Sequence, residues 1–311
     1  MHWVVGAGGL LGSAVVDRLR TDGEPVLAAP RIGWGTPAAS GDLRTALELL
    51  ISASDGDHWQ IEWCAGVGVT GTGAEALRTE VMTFQSLLGA LSALPPEVRA
   101  GGSLVVASSA GGVYGGSQGA PFTEPSAVAP LGFYGAAKLA IEEAARDFSS
   151  GSGIPTLVGR ISNLYGPGQS LSKPQGLISH LCLASARRKP LSIYVPLDTR
   201  RDYLYVDDAA GLLVSAGRRI RTNDETPFHL KIIASGRSVS IGGLLAEFRR
   251  VIGHRPEIVM ATSAQAALQS VDLRMQSSYW TDLDRRPTTN LADGMARTLQ
   301  EVRRSCFVAA A

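Results

Sequence analysis

With 311 residues, 29 basic against 28 acidic side chains, 45% hydrophobic residues and 36 glycines, the chain has the size and composition of one large α/β domain or two modest ones, which excludes a disordered or fibrous protein. A net charge of +1 argues against nucleic acid as a partner, because neutralising phosphates needs a clustered basic excess. No apolar run approaches the ~20 residues that span a bilayer, so no membrane partner is expected. The chain opens on a strand at His2–Val5, followed by glycines and a helix over Leu10–Thr21. Pro25–Ala29 reads as a second strand and Leu43–Ser54 as a helix. Ile61–Ala65 is a third strand, and Glu75–Leu94 is a helix that ends at Pro95-Pro96. Ser103–Ser108 is again a strand, Tyr134–Phe148 a helix and Thr156–Ile161 a strand. Such alternation predicts a parallel sheet covered on both faces, a doubly wound α/β fold. After Gly166 the texture turns loop-like through Lys173, and regular alternation returns only at Tyr203–Val206. A helix follows over Ile241–Val251 and another near Leu291–Val302. We therefore expect a core over residues 1–165 with a return segment at about 200–235, and a smaller intertwined C-terminal region from 166–199 and 236–311. Cys64, Cys182 and Cys306 are far apart and odd in number, so they form neither a disulfide framework nor a metal pair. Together with a start that lacks the basic n-region of a signal peptide, they predict a cytoplasmic location.

The run Val4-Val5-Gly6-Ala7-Gly8-Gly9-Leu10-Leu11-Gly12 joins a strand to a helix through a glycine turn. Glycine permits the tight turn and lets backbone N–H groups approach a pyrophosphate, and the helix N-terminus adds partial positive charge. Placed in the first strand–helix unit, the motif points to dinucleotide binding. The spacing of Gly6, Gly9 and Gly12 resembles the short-chain dehydrogenase/reductase superfamily, in particular its extended branch of epimerases, dehydratases and ketoreductases. That resemblance implies a Rossmann-type core whose cofactor is held by Gly6, Gly9, Leu10, Leu11 and Gly12. It makes the smaller C-terminal region the substrate-binding one. Gly41-Asp42-Leu43 resembles the branch's acidic-plus-aliphatic pair, which implies adenine contacts for Asp42 and Leu43; an N-cap is the other reading of Asp42. At the end of the second strand, Val26-Leu27-Ala28-Ala29-Pro30-Arg31 carries no carboxylate for a ribose 2′-hydroxyl and one arginine suited to a 2′-phosphate. Arg31 thus favours NADP(H) over NAD(H), unless it is only a solvated loop charge.

Tyr134 and Lys138 are four residues apart and share one helix face. Seven tyrosines and four lysines in a chain of this length give about 0.09 such pairs by chance. A phenol titrates near 10, too high for acid–base work at neutrality, and an adjacent ammonium favours its ionised form. In the superfamily this pair is catalytic, and the lysine also holds the nicotinamide ribose. Ser108-Ser109-Ala110-Gly111-Gly112-Val113-Tyr114-Gly115 resembles the branch's strand-end serines followed by a Val-Tyr-Gly turn. The resemblance implies that Ser109, or else Ser108, bonds the reacting oxygen; three residues rather than the usual two separate the serines from Val113. The Thr-Asp-Glu of the dehydratases has no counterpart in Ala110-Gly111-Gly112, which disfavours water elimination.

On the substrate side, Arg160-Ile161-Ser162-Asn163-Leu164-Tyr165-Gly166-Pro167 resembles the family's Arg-x-x-Asn-x-Tyr-Gly-Pro segment, implying a sugar-nucleotide contact for Asn163; the alternative is backbone capping beside a Gly-Pro turn. Arg201-Asp202-Tyr203-Leu204-Tyr205-Val206-Asp207-Asp208 resembles Arg-Asp-Tyr-x-x-Val-x-Asp, implying that Arg201 clamps the nucleotide diphosphate with its planar fork. Asp207 and Asp208 are expected to cap a helix rather than bind metal, since no third ligand stands near. Residues 194–199 lack the family's glycine-rich hairpin, and 261–271 lack a second diphosphate arginine. Asp272-Leu273 through Pro287, Leu291 and Gly294 resemble the C-terminal signature, so the likeness runs nearly the whole chain. It implies an oxidoreductase acting at C4 of a hexose in a nucleotide-diphosphate sugar, with no metal. A reductase with exchanging NADPH is preferred to a 4-epimerase with retained NAD, and a non-catalytic dinucleotide sensor is the third reading. A homodimer is compatible with the resemblance.

Overall fold

Strands buried at most or all of their positions build the centre of the protein. The structure is a computed structural model, and it describes residues 1–69, 71–172, 175–222, 226–262 and 270–308, the side chains of 307 and 308 excepted. In chain order the first half contains β1 (His2–Val5), α1 (Leu10–Thr21), α2 (Ala39–Ser54), β2 (Trp59–Trp63), α3 (Ala74–Ser92), α4 (Pro96–Ala100), β3 (Gly102–Ser109), α5 (Ala110–Val113), α6 (Phe133–Ser152) and β4 (Thr156–Ile161). The second half contains β5 (Asn163–Tyr165), α7 (Leu177–Arg187), β6 (Leu191–Ile193), β7 (Arg200–Tyr205), α8 (Val206–Ile220), β8 (Phe228–Ile233), β9 (Ser238–Ser240), α9 (Ile241–Ile252), β10 (Ile258–Met260), β11 (Asp272–Leu273) and α10 (Leu291–Val308). The central sheet has the order β1-β2-β3-β4-β8, and every pairing in it is parallel. Helices α2, α3 and α6 pack on one face through Leu43, Leu47, Leu50, Phe84, Leu87, Ile141 and Phe148. On the other face α1 and α8 pack through Val15, Leu19, Ala209, Leu213 and Ala216. Covering both faces explains why β2 is buried at all five positions instead of alternating. The fold is a doubly wound α/β sandwich of the Rossmann type.

Polar residues inside this sheet are paired with one another. His2 Nδ1 lies 2.6 Å from Glu62 Oε1, Gln60 Nε2 donates to the same carboxylate, and Ser103 Oγ donates to Gln60 Oε1. A third apolar cluster joins Tyr165, Ile178, Leu181, Tyr205, Leu244, Phe248, Met295 and Leu299, so α7, α9 and α10 share a core beside β5 and β7. Lys231, fully buried on β8, stitches the chain's end to the sheet by donating to Ser277 Oγ, Tyr279 O and Asp284 Oδ2. Among the described residues no helix is long and apolar enough to cross a membrane.

Three expectations are corrected. Pro25–Ala29 is not a strand: Val26 makes a single parallel bridge to His2, and the chain then leaves the sheet. His2 N donates to Pro25 O and Leu27 N to His2 O, and no further backbone bond joins residues 28–30 to β1. The stretch read as irregular after Gly166 contains α7 and β6, because glycine and proline dominate only its first residues. Phe228–Ile233, placed in a return segment but not read as a strand, supplies the fifth strand of the sheet.

Candidate active site

The glycine turn carries β1 directly into α1. Gly6 adopts φ 90°, and its carbonyl accepts from Gly9 N at 2.9 Å. A Cβ at Gly12 would stand 2.2 Å from that same carbonyl oxygen, so only glycine fits there. Helix α1 is capped by Gly9 with no side-chain bond, and its first turn has no acidic residue. The N–H groups of Leu10, Leu11 and Gly12 are therefore offered to an anion by an uncapped helix of 12 residues. This cradle fits a dinucleotide pyrophosphate. Leu11 is buried, so its backbone rather than its side chain belongs to the cradle. Arg31 is exposed and pairs with no carboxylate among the described residues. Asp42 does not cap α2: Ala38 stands at the N-cap, and Asp42 Oδ2 accepts from Gly33 N at 2.8 Å, tying down the loop that carries Arg31 and Trp34. Leu43 is 1% exposed and packs in the sheet core.

Strand β3 delivers the two serines to opposite faces, as a pleated strand must. Ser108 is buried, and its Oγ donates to Glu142 Oε1 at 2.5 Å. Ser109 Oγ accepts from Gly112 N at 3.1 Å, which leaves its own hydrogen free to donate. Tyr134, in the first turn of α6, lies against this turn. The Cβ position of Gly112 is 3.2 Å from Tyr134 Cε1 and 3.3 Å from Ser109 Oγ, and that of Gly68 is 2.8 Å from Tyr134 Cδ2. The tyrosine ring thus sits between the segments that leave β2 and β3. Lys138 follows one turn later, buried, with Nζ 5.9 Å from the Tyr134 ring centroid. Burial alone would lower the lysine's pKa, but attraction by Tyr134, Glu80 and Glu142 holds it above the ordinary value.

Two acidic residues that no motif singled out complete this arrangement. Glu80 on α3 accepts from Lys138 Nζ at 2.7 Å. Glu142, one turn beyond Lys138, takes Arg160 Nε and Nη2 as a bidentate partner, and Arg160 Nη1 donates to Tyr114 Oη at 2.6 Å. Charge therefore alternates through the interior from Glu80 to Lys138, Glu142 and Arg160. Glu80 was detectable in principle as a carboxylate on the apolar face formed by Leu77, Phe84 and Leu87, where a buried charge requires a partner.

The residues expected to meet substrate come from β5 and β7, which pair in parallel with Asn163 opposite Tyr203. Asn163 Nδ2 donates to Asp202 O at 3.0 Å, so part of its capacity goes to backbone capping. Arg201 is 7% exposed, donates to Arg200 O, and has no carboxylate partner among the described residues. Burial depresses its pKa, with Tyr203 and Asp272 acting in the opposite sense. A buried guanidinium without a hydrogen-bonded carboxylate has donors to offer an anion. Its neighbour Asp202 points the other way and accepts from Ser162 Oγ, Ser235 N and Ser235 Oγ. Asp207 and Asp208 lie in the first turn of α8 but do not cap it. Tyr205 is the N-cap, and Asp208 accepts from Thr289 N and Oγ1, so the pair favours the helix dipole and fastens a later loop. Residues 263–269, within the stretch read as lacking an arginine, are outside the described residues. Among the described residues no group of three or more His, Cys, Asp or Glu side chains is placed to hold a metal ion.

Known proteins share this architecture. The profile of the NAD dependent epimerase/dehydratase family matches residues 3–228. A dTDP-4-dehydro-6-deoxyglucose reductase of Escherichia coli is 31% identical over 208 residues, which cover 64% of this chain and 61% of the reductase. A UDP-glucose 4-epimerase of Azospirillum brasilense is 28% identical over 279 residues, covering 81% of this chain and 77% of the epimerase. The solved structure of MoeE5 in complex with UDP-glucuronic acid and NAD superposes with a TM-score of 0.77 at 25% identity, covering 98% of this chain and 99% of that one. The chain is an enzyme of the NAD-dependent epimerase/dehydratase family, within the extended short-chain dehydrogenases/reductases.

Proposed function

We propose that this enzyme is a nucleotide-sugar oxidoreductase acting at C4 of a hexose, and that its direction is NADPH-dependent reduction of a 4-keto sugar. The observation that carries the reading is the convergence of Ser109, Tyr134 and Lys138 at the carboxyl end of the parallel sheet, the end at which β1 runs into the glycine turn. When bound, a nicotinamide dinucleotide supplies the hydride. Tyr134 gives its hydroxyl proton to the sugar oxygen, Ser109 donates a hydrogen bond to that oxygen, and Lys138 provides positive charge beside the phenol and a donor for the ribose. Arg201 takes the nucleotide diphosphate and Asn163 the sugar. Residues 166–199 and 236–311 form the substrate side, with the nucleotide core in 1–165 and its return segment. Backbone N–H groups at Leu10, Leu11 and Gly12 hold the pyrophosphate, and Asp42 borders the adenine, while Leu43 belongs to the core beneath and not to the adenine contact.

The alternative is a 4-epimerase that keeps NAD and returns the hydride to the opposite sugar face. It is favoured by the A. brasilense epimerase, which aligns over more of the chain than the reductase does. Cofactor stoichiometry separates the two: reduction consumes one equivalent of NADPH per product, whereas epimerisation leaves added cofactor unchanged.

Arg31 bears on the same choice. Arg31→Ala is expected to weaken NADPH binding more than NADH binding, because only NADPH carries the 2′-phosphate. Titrations with each cofactor measure this, and equal losses remove Arg31 from the site. Arg201→Ala is expected to raise KM for the nucleotide sugar while cofactor affinity stays near its starting value. Losing a charge-assisted bidentate contact costs about 1.5–3 kcal/mol, roughly ten- to a hundredfold in affinity. A fall in cofactor affinity with unchanged sugar KM would move Arg201 to the other half of the site.

A further inference from the structure

We infer that Glu80 is a positioning residue for the C4 chemistry proposed above: one buried carboxylate clamps the Lys138 ammonium and the Val67–Gly68 loop together against the Tyr134 ring. This rests on the assignment of Tyr134 and Lys138 as the acid–base pair. Glu80 is 8% exposed and both its oxygens accept from donors of the protein itself, so it does not itself meet substrate. Its Oε1 accepts from Lys138 Nζ at 2.7 Å. Its Oε2 accepts from Val67 N at 3.0 Å and from Gly68 N at 3.2 Å. The loop these donors belong to touches both members of the pair. A Cβ at Gly66 would be 3.1 Å from Lys138 Nζ and 3.2 Å from Glu80 Oε1, and one at Gly68 would be 2.8 Å from Tyr134 Cδ2. The loop leaves the carboxyl end of β2, on the side of the sheet where doubly wound folds bind their ligands.

Glutamate is the side chain this clamp requires. Both oxygens face donors, one an ammonium and the other two backbone N–H groups. A glutamine of the same length has one acceptor, and its amide NH2 would confront either the ammonium or the loop. Aspartate is a methylene too short to span both partners. Two carboxylates and a phenol surround the ammonium: Glu80 from α3, with Glu142 and Tyr134 from α6. Of these only Glu80 is hydrogen-bonded to it. Removing Glu80 leaves the lysine with charge nearby but nothing to fix its direction.

The test compares Glu80→Gln, Lys138→Met and the double variant, each checked for folding by circular dichroism because removing one partner strands a buried charge. Glu80→Gln is expected to lower kcat about tenfold or more, since misplacing a catalytic group by an ångström costs on the order of a hundredfold. KM for a 4-keto nucleotide sugar should stay within about twofold, the signature of an effect outside substrate binding. NADPH affinity, read without turnover from quenching of tryptophan fluorescence, should weaken about threefold or more because the ribose donor is displaced. In the Lys138→Met background, adding Glu80→Gln should leave kcat within about twofold, because nothing remains to be positioned. Wild-type kcat and NADPH affinity in a folded Glu80→Gln, or losses that multiply in the double variant, overturn the inference. Should Glu80→Gln not fold alone, equality or multiplication in the Lys138→Met background decides the matter. A Tyr134→Phe enzyme that turns over normally defeats the reading of function itself; an inactive Tyr134→Phe beside a fully active Glu80→Gln defeats only the role of Glu80.

Discussion

Tyr134→Phe is expected to fold and bind dinucleotide as the parent does, yet to reduce a 4-keto nucleotide sugar roughly 10²–10⁴-fold more slowly, the contribution of a positioned acid. The substitution removes one hydroxyl. The ring contacts with the turns at Gly68 and Gly112 involve carbon atoms, and the Lys138–Glu80 pair does not use the phenolic oxygen. Core volume, helix α6 and the glycine cradle are therefore left in place. No neighbour replaces the lost proton. Ser108 is committed to Glu142, and Tyr114 Oη donates to Thr123 O while accepting from Arg160. Ser109 has a hydrogen to donate but in the proposed mechanism only polarises the carbonyl, so Ser109→Ala should cost less than Tyr134→Phe. Steady-state turnover across pH, paired with a dinucleotide titration, makes the comparison. Near-parental kcat in Tyr134→Phe would sink the mechanism and promote a non-catalytic dinucleotide-binding role.

What the sequence made legible follows from how local each determinant is. The turn at Gly6–Gly12 and the one-turn spacing of Tyr134 and Lys138 are written in consecutive residues, so the fold class and the pair could be read directly. The serines were ambiguous because the two differ only in which face of β3 they occupy. The alternation became visible once Ser108 was seen bonded to Glu142 and Ser109 to Gly112. Capping of a helix is the expectation for Asp208 and the second reading of Asp42, from their position before apolar runs. Instead each accepts from a loop distant in sequence, Gly33 for one and Thr289 for the other. The partners of Lys138 and Arg160 lie on other elements, Glu80 58 positions away and Glu142 18 positions away, and no local pattern announces such pairs. The second strand failed for a different reason. Its apolar residues suit a strand, but only Val26 bridges to His2 before the chain leaves the sheet, and nothing in the run itself marks where pairing stops.

Glu142→Ala is expected to destabilise the fold by about 3–5 kcal/mol, the usual cost of stranding one member of a buried ion pair. Glu142 and Arg160 are each about 5% exposed, so solvent screening gives little relief. Arg160 uses Nε and Nη2 on this carboxylate and Nη1 on Tyr114, which leaves it no other anion. A lysine in its place could shed its proton when deprived of a partner; a guanidinium does not. The same truncation also removes the acceptor of Ser108 Oγ, adding an unpaired buried hydroxyl. Denaturant titration of the midpoint at constant slope measures the loss. Replacing both members with apolar residues, Glu142→Leu with Arg160→Met, should recover a large part of it, because no charge is then stranded. A loss under about 1 kcal/mol for Glu142→Ala would mean that water reaches Arg160, contrary to the burial that the network implies. The consequence extends to the site, since Glu142 is one of the charges that raise the Lys138 pKa and its helix carries both Tyr134 and Lys138. Fastening α6 to β4 through Arg160 fixes Tyr134 and Lys138 to the sheet whose first strand runs into the glycine turn, so stability and geometry at this point rest on the same two side chains.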